Sequence, residues 1–113
     1  KIDCQAGPLE IWWSGMIVEF SIVPIGTGVS LSPYVAECLR IVRESGLKHE
    51  LTPMGTVLQG EGREVMDVVM RCHERVLQMS ERVVTSIKID DRRDRASDMR
   101  RKVQSVEEKL GKG

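Results

Sequence analysis

From Met16 onward the chain alternates between two hydrophobic periods. In "MIVEFSIVPIG" (16–26), Val18, Phe20 and Ile22 fall on one side, and Ile17, Glu19, Ser21 and Val23 on the other. This two-residue period, rich in β-branched residues, predicts a strand that Pro24 and Gly26 end. A helix is predicted next, in "TGVSLSPYVAECLRIVRESG". Ser32 suits an N-cap and Pro33 the first helical position. Val35, Leu39 and Val42, with Cys38, make its apolar stripe, and Gly46 suits the position just past its end. "LKHELTPMGTVLQGEG" reads as two short strands joined near Met54 and Gly55. A second amphipathic helix follows, with Val65, Val69, Cys72, Val76 and Met79 at helical spacing. In "RVVTSIKID", Val83, Thr85, Ile87 and Ile89 alternate with Val84, Ser86, Lys88 and Asp90, which predicts the last strand. A third helix is predicted in "ASDMRRKVQSVEEKL", where Met99, Val103, Val106 and Leu110 form one narrow stripe.

The order β-α-β-β-α-β is the split βαβ pattern of an α+β, ferredoxin-like domain, here with an additional C-terminal helix. Right-handed crossovers give an antiparallel sheet with strand order 4-1-3-2, with both crossover helices on one face. The other face then carries Ile17, Glu19, Ser21, Val23, Val84, Ser86, Lys88 and Asp90. Half of it is apolar, so a second subunit is expected to cover Ile17, Val23 and Val84. A single domain is expected over 16–110. Residues 1–15, "KIDCQAGPLEIWWSG", hold both tryptophans and read as a natural or added N-terminal extension outside the fold. They lack the basic start and continuous apolar stretch of a signal peptide.

Composition narrows the function. Seventeen basic side chains balance seventeen acidic ones, so the basic excess usual in a nucleic-acid partner is missing. No apolar run is long enough to span a bilayer. Cys4, Cys38 and Cys72 form no CxxC. Cys38 and Cys72 sit at apolar helical positions and read as small buried hydrophobes in a reducing cytoplasm. His73 adjoins Cys72, but neighbours on a helix point roughly 100° apart and make a poor metal pair. No metal or cofactor is expected.

Common uses of this fold are also disfavoured. The loop after the first strand, "PIGTGVSLS", has no arginine for an acylphosphatase-like phosphate site and no CxxC for metal transfer. The first and third strands carry only Phe20 among aromatics, in the core register, so RNA stacking is not supported. The "GTGVS" loop could hold an anion on backbone amides, or its glycines could be ordinary turn residues.

Hydroxyls say more. Ser21 and Ser86 lie on the open face of adjacent strands, and Thr52 and Thr56 flank the hairpin turn. Glu19 and Lys88 could pair across strands one and four, either structurally or toward a ligand. Such a mixture suits a small polar heterocycle. In "SIKIDDRRDR" (86–95), Asp90 and Asp91 point to opposite sides of a strand, and nearby arginines favour ionised carboxylates. A catalytic carboxylate pair or a magnesium site fits poorly. A salt-bridged strand end that anchors the third helix fits better, and Asp90, alone on the open face, stays a ligand candidate.

"MIVEFSIVPIGTGVSLSPYVAE", "LTPMGTVLQGE" and "SIKIDDRRDR", ending in "KVQSVEEKL", resemble the small thiamine-binding proteins, over Met16 to Leu110. The resemblance implies a non-enzymatic cytoplasmic protein that binds thiamine or its hydroxymethylpyrimidine moiety. It also implies homo-oligomers, dimers or tetramers. Ser21, Ser30, Thr52, Thr56, Ser86 and Asp90 are the ligand-binding positions carried over. The expected site lies at a subunit boundary, with no nucleic acid and no membrane involved. The alternative is an oligomeric regulatory or interaction domain with a different small ligand or none.

Overall fold

The computed structural model describes residues 15–112. The expectation of an N-terminal extension therefore falls almost wholly outside the described residues, as does Cys4. The elements run β1 (Met16–Pro24), α1 (Ser32–Ser45), β2 (Lys48–Thr52), β3 (Gly55–Gly60), α2 (Gly62–Gln78), β4 (Val83–Asp90) and α3 (Met99–Lys112). The four strands form one antiparallel sheet ordered β2-β3-β1-β4, which is the expected 4-1-3-2 order read in reverse. The chain is thus an α+β, ferredoxin-like domain with a C-terminal helix.

Register fixes the faces. Phe20 stands opposite Thr56 on β3 and Ile87 on β4, and Val18 opposite Leu58 and Ile89. Val18, Phe20, Ile22 and Leu58 pack beneath the two crossover helices. From α1 they receive Cys38 and Val42, and from α2 chiefly Val65, Val69, Cys72 and Val76. Complete burial of a valine is worth about 1.5–3 kcal/mol, so the α2 stripe supplies much of the core energy. Arg75 of α2 donates to Glu37 of α1 at 3.1 Å, and Glu37 also pairs with Arg40 on its own helix. Both arginines hold the Glu37 carboxyl below its ordinary pKa, with Arg40 the larger influence.

Several details depart from the sequence reading. Ser32 does not cap α1: Leu31 occupies the cap position and no side chain bonds there. Gly46 does end the helix, at φ 77°, with its amide on the Arg43 carbonyl. Ile87 and Ile89 share the helix-facing side of the sheet, yet they are 39% and 49% exposed. They lie on the edge strand β4, beyond the middle of the helical layer. Ile17, expected in water, is buried. Its cross-strand partners are Gln59 and Asp90. Gln59 accepts from the Met99 amide at 2.8 Å and Asp90 pairs with Lys102 at 2.7 Å, so the start of α3 lies over that end of the open face. Val23 and Val84, at the other end, remain exposed as expected.

Candidate functional site: a cleft at the hairpin end of the sheet

The β2–β3 turn is closed by a side chain. Thr52 Oγ1 accepts from the amides of Met54 and Gly55 at 3.2 and 3.1 Å and donates to the Gly55 carbonyl at 2.8 Å. A Cβ on Gly55 would stand 2.9 Å from the Phe20 carbonyl oxygen, so only glycine lets the hairpin lie this close to β1. The turn thereby comes to face the first turn of α1 across a cleft of about 330 Å³. Leu31 at the cap of α1 and Val35 within it form one wall, and Leu51 and Met54 of the hairpin the other. Phe20, Cys38 and Thr56 also border it. The walls are apolar yet open to solvent: Leu51 is 50% and Met54 84% exposed. Thr56 is largely buried, and its hydroxyl, which reaches the cleft surface, makes no hydrogen bond among the described residues. No residue lining the cleft carries a charge or an imidazole.

On the open face, Ser21 stands opposite Ser86 and Glu19 opposite Lys88. The Lys88 ammonium lies 3.6 Å from the Glu19 carboxylate, the cross-strand pair that strand adjacency suggested. These four residues border a shallow depression of about 170 Å³. Ser21 and Met54 border both hollows. Of the six candidate positions, Ser21, Thr52, Thr56 and Ser86 therefore gather at the hairpin end. Ser30 is exposed in the loop before α1 and borders neither hollow. Asp90 is four residues from Ser86 along β4, about 13 Å for a strand, and is engaged by Lys102.

The "GTGVS" loop has its own explanation: Gly26 and Gly28 adopt φ of 84° and 94°, which turns require of glycine. In "DDRRDR", Arg92 forks onto Asp94 at 2.9 and 2.6 Å and lowers that carboxyl's pKa. The strand end does anchor α3, through the first of these residues, Asp90, and Lys102. Cys38 and Cys72 are free and buried, with the Cys72 thiol directed at the Cys38 carbonyl. Hydrogen bonding with Cys38 and burial both push the Cys72 thiol up, so it stays protonated. Among the described residues no group of three His, Cys, Asp or Glu could hold a metal ion, and no helix is long and apolar enough to cross a membrane.

A hollow of about 650 Å³ lies between α3 and the β2 edge, and none of the candidate hydroxyls lines it. It is a gap beside a projecting helix, and Lys48, Glu50, Asp98, Arg100 and Glu107 border it. The smaller cleft is the better ligand site because it combines apolar walls with an unpaired hydroxyl. Leu31, Val35, Leu51 and Met54 were not singled out as site residues from sequence. The available signal was their position at element ends beside turns, where apolar residues lack neighbours to cover them.

The thiamine-binding protein family model matches residues 18–107 of this chain. A UPF0045 protein of Methanocaldococcus jannaschii is 37% identical over 98 residues, covering 87% of this chain and 98% of that protein. A UPF0045 protein of Methanothermobacter thermautotrophicus is 44% identical over 95 residues, covering 81% and 96%. The crystal structure of the M. jannaschii protein superimposes with a TM-score of 0.79, covering 84% of this chain and 98% of that one. A domain of unknown function from Bacillus cereus, 31% identical, gives 0.73 over 80% and 88%.

Proposed function

Because the chain belongs to the thiamine-binding protein family, we propose that it binds thiamine or its hydroxymethylpyrimidine moiety in the hairpin-end cleft without chemically altering it. The observation that carries this reading is the unpaired Thr56 hydroxyl in a cleft whose walls are mainly apolar. That oxygen reaches the cleft surface, and a hydrogen bond from it to a ligand amine or ring nitrogen is worth about 0.5–1.5 kcal/mol. The cleft volume of about 330 Å³ sits at the small end of the usual range for ligand pockets, which suits one or two rings. Leu31, Val35, Leu51 and Met54 offer surface for a ring to stack on. Ser21 links the cleft to the open-face depression, where Glu19 is the nearest carboxylate for a thiazolium charge. Its pair with Lys88 is exposed and worth about 0–1 kcal/mol, so a ligand cation can compete for it. The cleft lining holds no carboxylate, amine or imidazole to act as a base beside its one thiol, Cys38, which supports binding rather than catalysis.

The solvent-open walls ask for a cover, and a second copy of the chain supplies one in this reading. The site then lies at a subunit boundary of a homo-oligomer, a dimer or tetramer, in a reducing cytoplasm that suits two free buried thiols. One observation also favours a second reading, an oligomeric regulatory or interaction domain: Val103, Val106 and Leu110 of α3 are 55%, 59% and 75% exposed. Calorimetry with thiamine, its phosphates and hydroxymethylpyrimidine separates the two. Saturable binding of at least one supports the first reading; heats of dilution alone with every compound reject it.

A further inference from the structure

We propose a second binding site, for a phosphate-class oxyanion, in the hollow between residues 92–98 and the first turns of α3. The hollow measures about 580 Å³, and Arg92, Arg95, Arg101 and Lys102 border it. Arg92 is committed to Asp94 and Lys102 to Asp90. Arg95 and Arg101 have no salt bridge or hydrogen bond among the described residues, and Arg95 acts on Asp94 only through its charge. Two acidic residues, Asp98 and Glu108, border the same hollow and equal the two remaining arginines in number, and the Asp98 carboxylate accepts from the Arg100 amide, so the case rests on donor geometry rather than on net charge.

A second observation comes from Ser97, which also borders the hollow. It is 4% exposed, and its Oγ has no hydrogen-bond partner. A buried hydroxyl is normally satisfied by protein, water or ligand, so an orphan beside two uncommitted guanidinium groups points to an acceptor-rich anion. The Ser97 position is fixed from behind. Its amide donates to the Gly15 carbonyl at 2.7 Å, and a Cβ on Gly15 would fall 2.3 Å from that of Ala96. The α3 amides are not the source of affinity, because Met99 N is held by Gln59 and Arg100 N by the Asp98 carboxylate. Recognition rests on the forked donors of Arg95 and Arg101 and on the Ser97 hydroxyl, a set that matches the oxygens of phosphate. A polyanion is the wrong partner for a chain with zero formal net charge. The chemistry fits inorganic phosphate or a phosphomonoester. This hollow and the heterocycle cleft lie at opposite ends of β1, so the two sites stand or fall separately.

The test is calorimetry of the whole chain with inorganic phosphate and, in a parallel arm, glycerol phosphate, in low-salt buffer with chloride as the control anion. Saturable binding that chloride does not reproduce is expected, and the tighter arm identifies the free or the esterified form. Arg95→Gln and Arg101→Gln should each weaken it about tenfold or more, while Arg82→Gln leaves it unchanged. Ser97→Ala should weaken binding without lowering the melting temperature, since it removes a hydroxyl that has no partner. Both arginine changes are at exposed positions, so the fold survives them. No saturable binding of either phosphate, or Arg95→Gln and Arg101→Gln binding as tightly as Arg82→Gln, overturns the proposal.

Discussion

Lys102 of the C-terminal helix places its ammonium 2.7 Å from the carboxylate of Asp90 at the end of β4. The pair joins two elements that share few other bonds, and it sits beside Ile17, which the start of α3 covers. Asp90 thereby acts as the staple that holds α3 against the sheet. Its distance from Ser86 leaves it outside reach of a ring in the hairpin-end cleft. Asp90→Asn should lower stability by about 0–1 kcal/mol, the worth of a half-exposed pair, and leave affinity for the heterocycle unchanged. Chemical denaturation and calorimetry on the same sample check both halves.

Thr52 and Thr56 look alike in sequence and differ in role. The Thr52 hydroxyl makes three bonds within the turn, whereas the Thr56 hydroxyl makes none. Thr52→Val should therefore destabilise the hairpin by about 1–3 kcal/mol, measured by denaturant unfolding. Thr56→Val should leave stability unchanged or slightly raised.

Glu37 gives a pH dependence whose sign follows from its lowered pKa. Above the ordinary value of 4.5 the carboxyl is ionised in folded and unfolded chains alike, and its pairing with Arg40 and Arg75 contributes in full. As the pH falls, the unfolded chain takes up the proton first, so stability declines until the lowered folded pKa is passed. The melting-temperature gap between the parent and Glu37→Gln should be present near neutrality and close in acid. A gap that widens below pH 4.5 would refute the assignment.

The α3 stripe predicts an assembly defect rather than a folding defect. Val103 and Val106 are more than half exposed in the single chain, so an aspartate at either position stays in water there. In an oligomer that covers the stripe, the same aspartate would be buried at a cost of several kcal/mol. Val103→Asp and Val106→Asp should keep the native circular dichroism spectrum and shift sedimentation toward monomer. A parent that sediments as a monomer at micromolar concentration would contradict the oligomeric reading.

The strands and helices were legible because their periods are clean, and strand order followed from connection handedness. The Glu19–Lys88 pair was legible for the same reason: once β1 and β4 are antiparallel neighbours, these residues stand opposite each other. Exposure was less legible. Ile17 and Ile87 have similar sequence surroundings, yet α3 covers one while edge position exposes the other. The cleft was half visible, through Thr52, Thr56 and Ser21. Its walls were not, because Leu31, Val35, Leu51 and Met54 come from three segments that only the fold brings together. Nor does any local pattern indicate that Ser97 is buried without a partner, which depends on the approach of Gly15.

The most direct measurement is a parallel calorimetric titration of the parent and Thr56→Val with thiamine and hydroxymethylpyrimidine, on protein of verified oligomeric state. One saturable site per chain is expected in the parent. Affinity should weaken about tenfold in Thr56→Val, equivalent to about 1.4 kcal/mol, with unfolding unchanged. Equal affinity in both proteins, or no binding by the parent, would contradict the cleft as the ligand site.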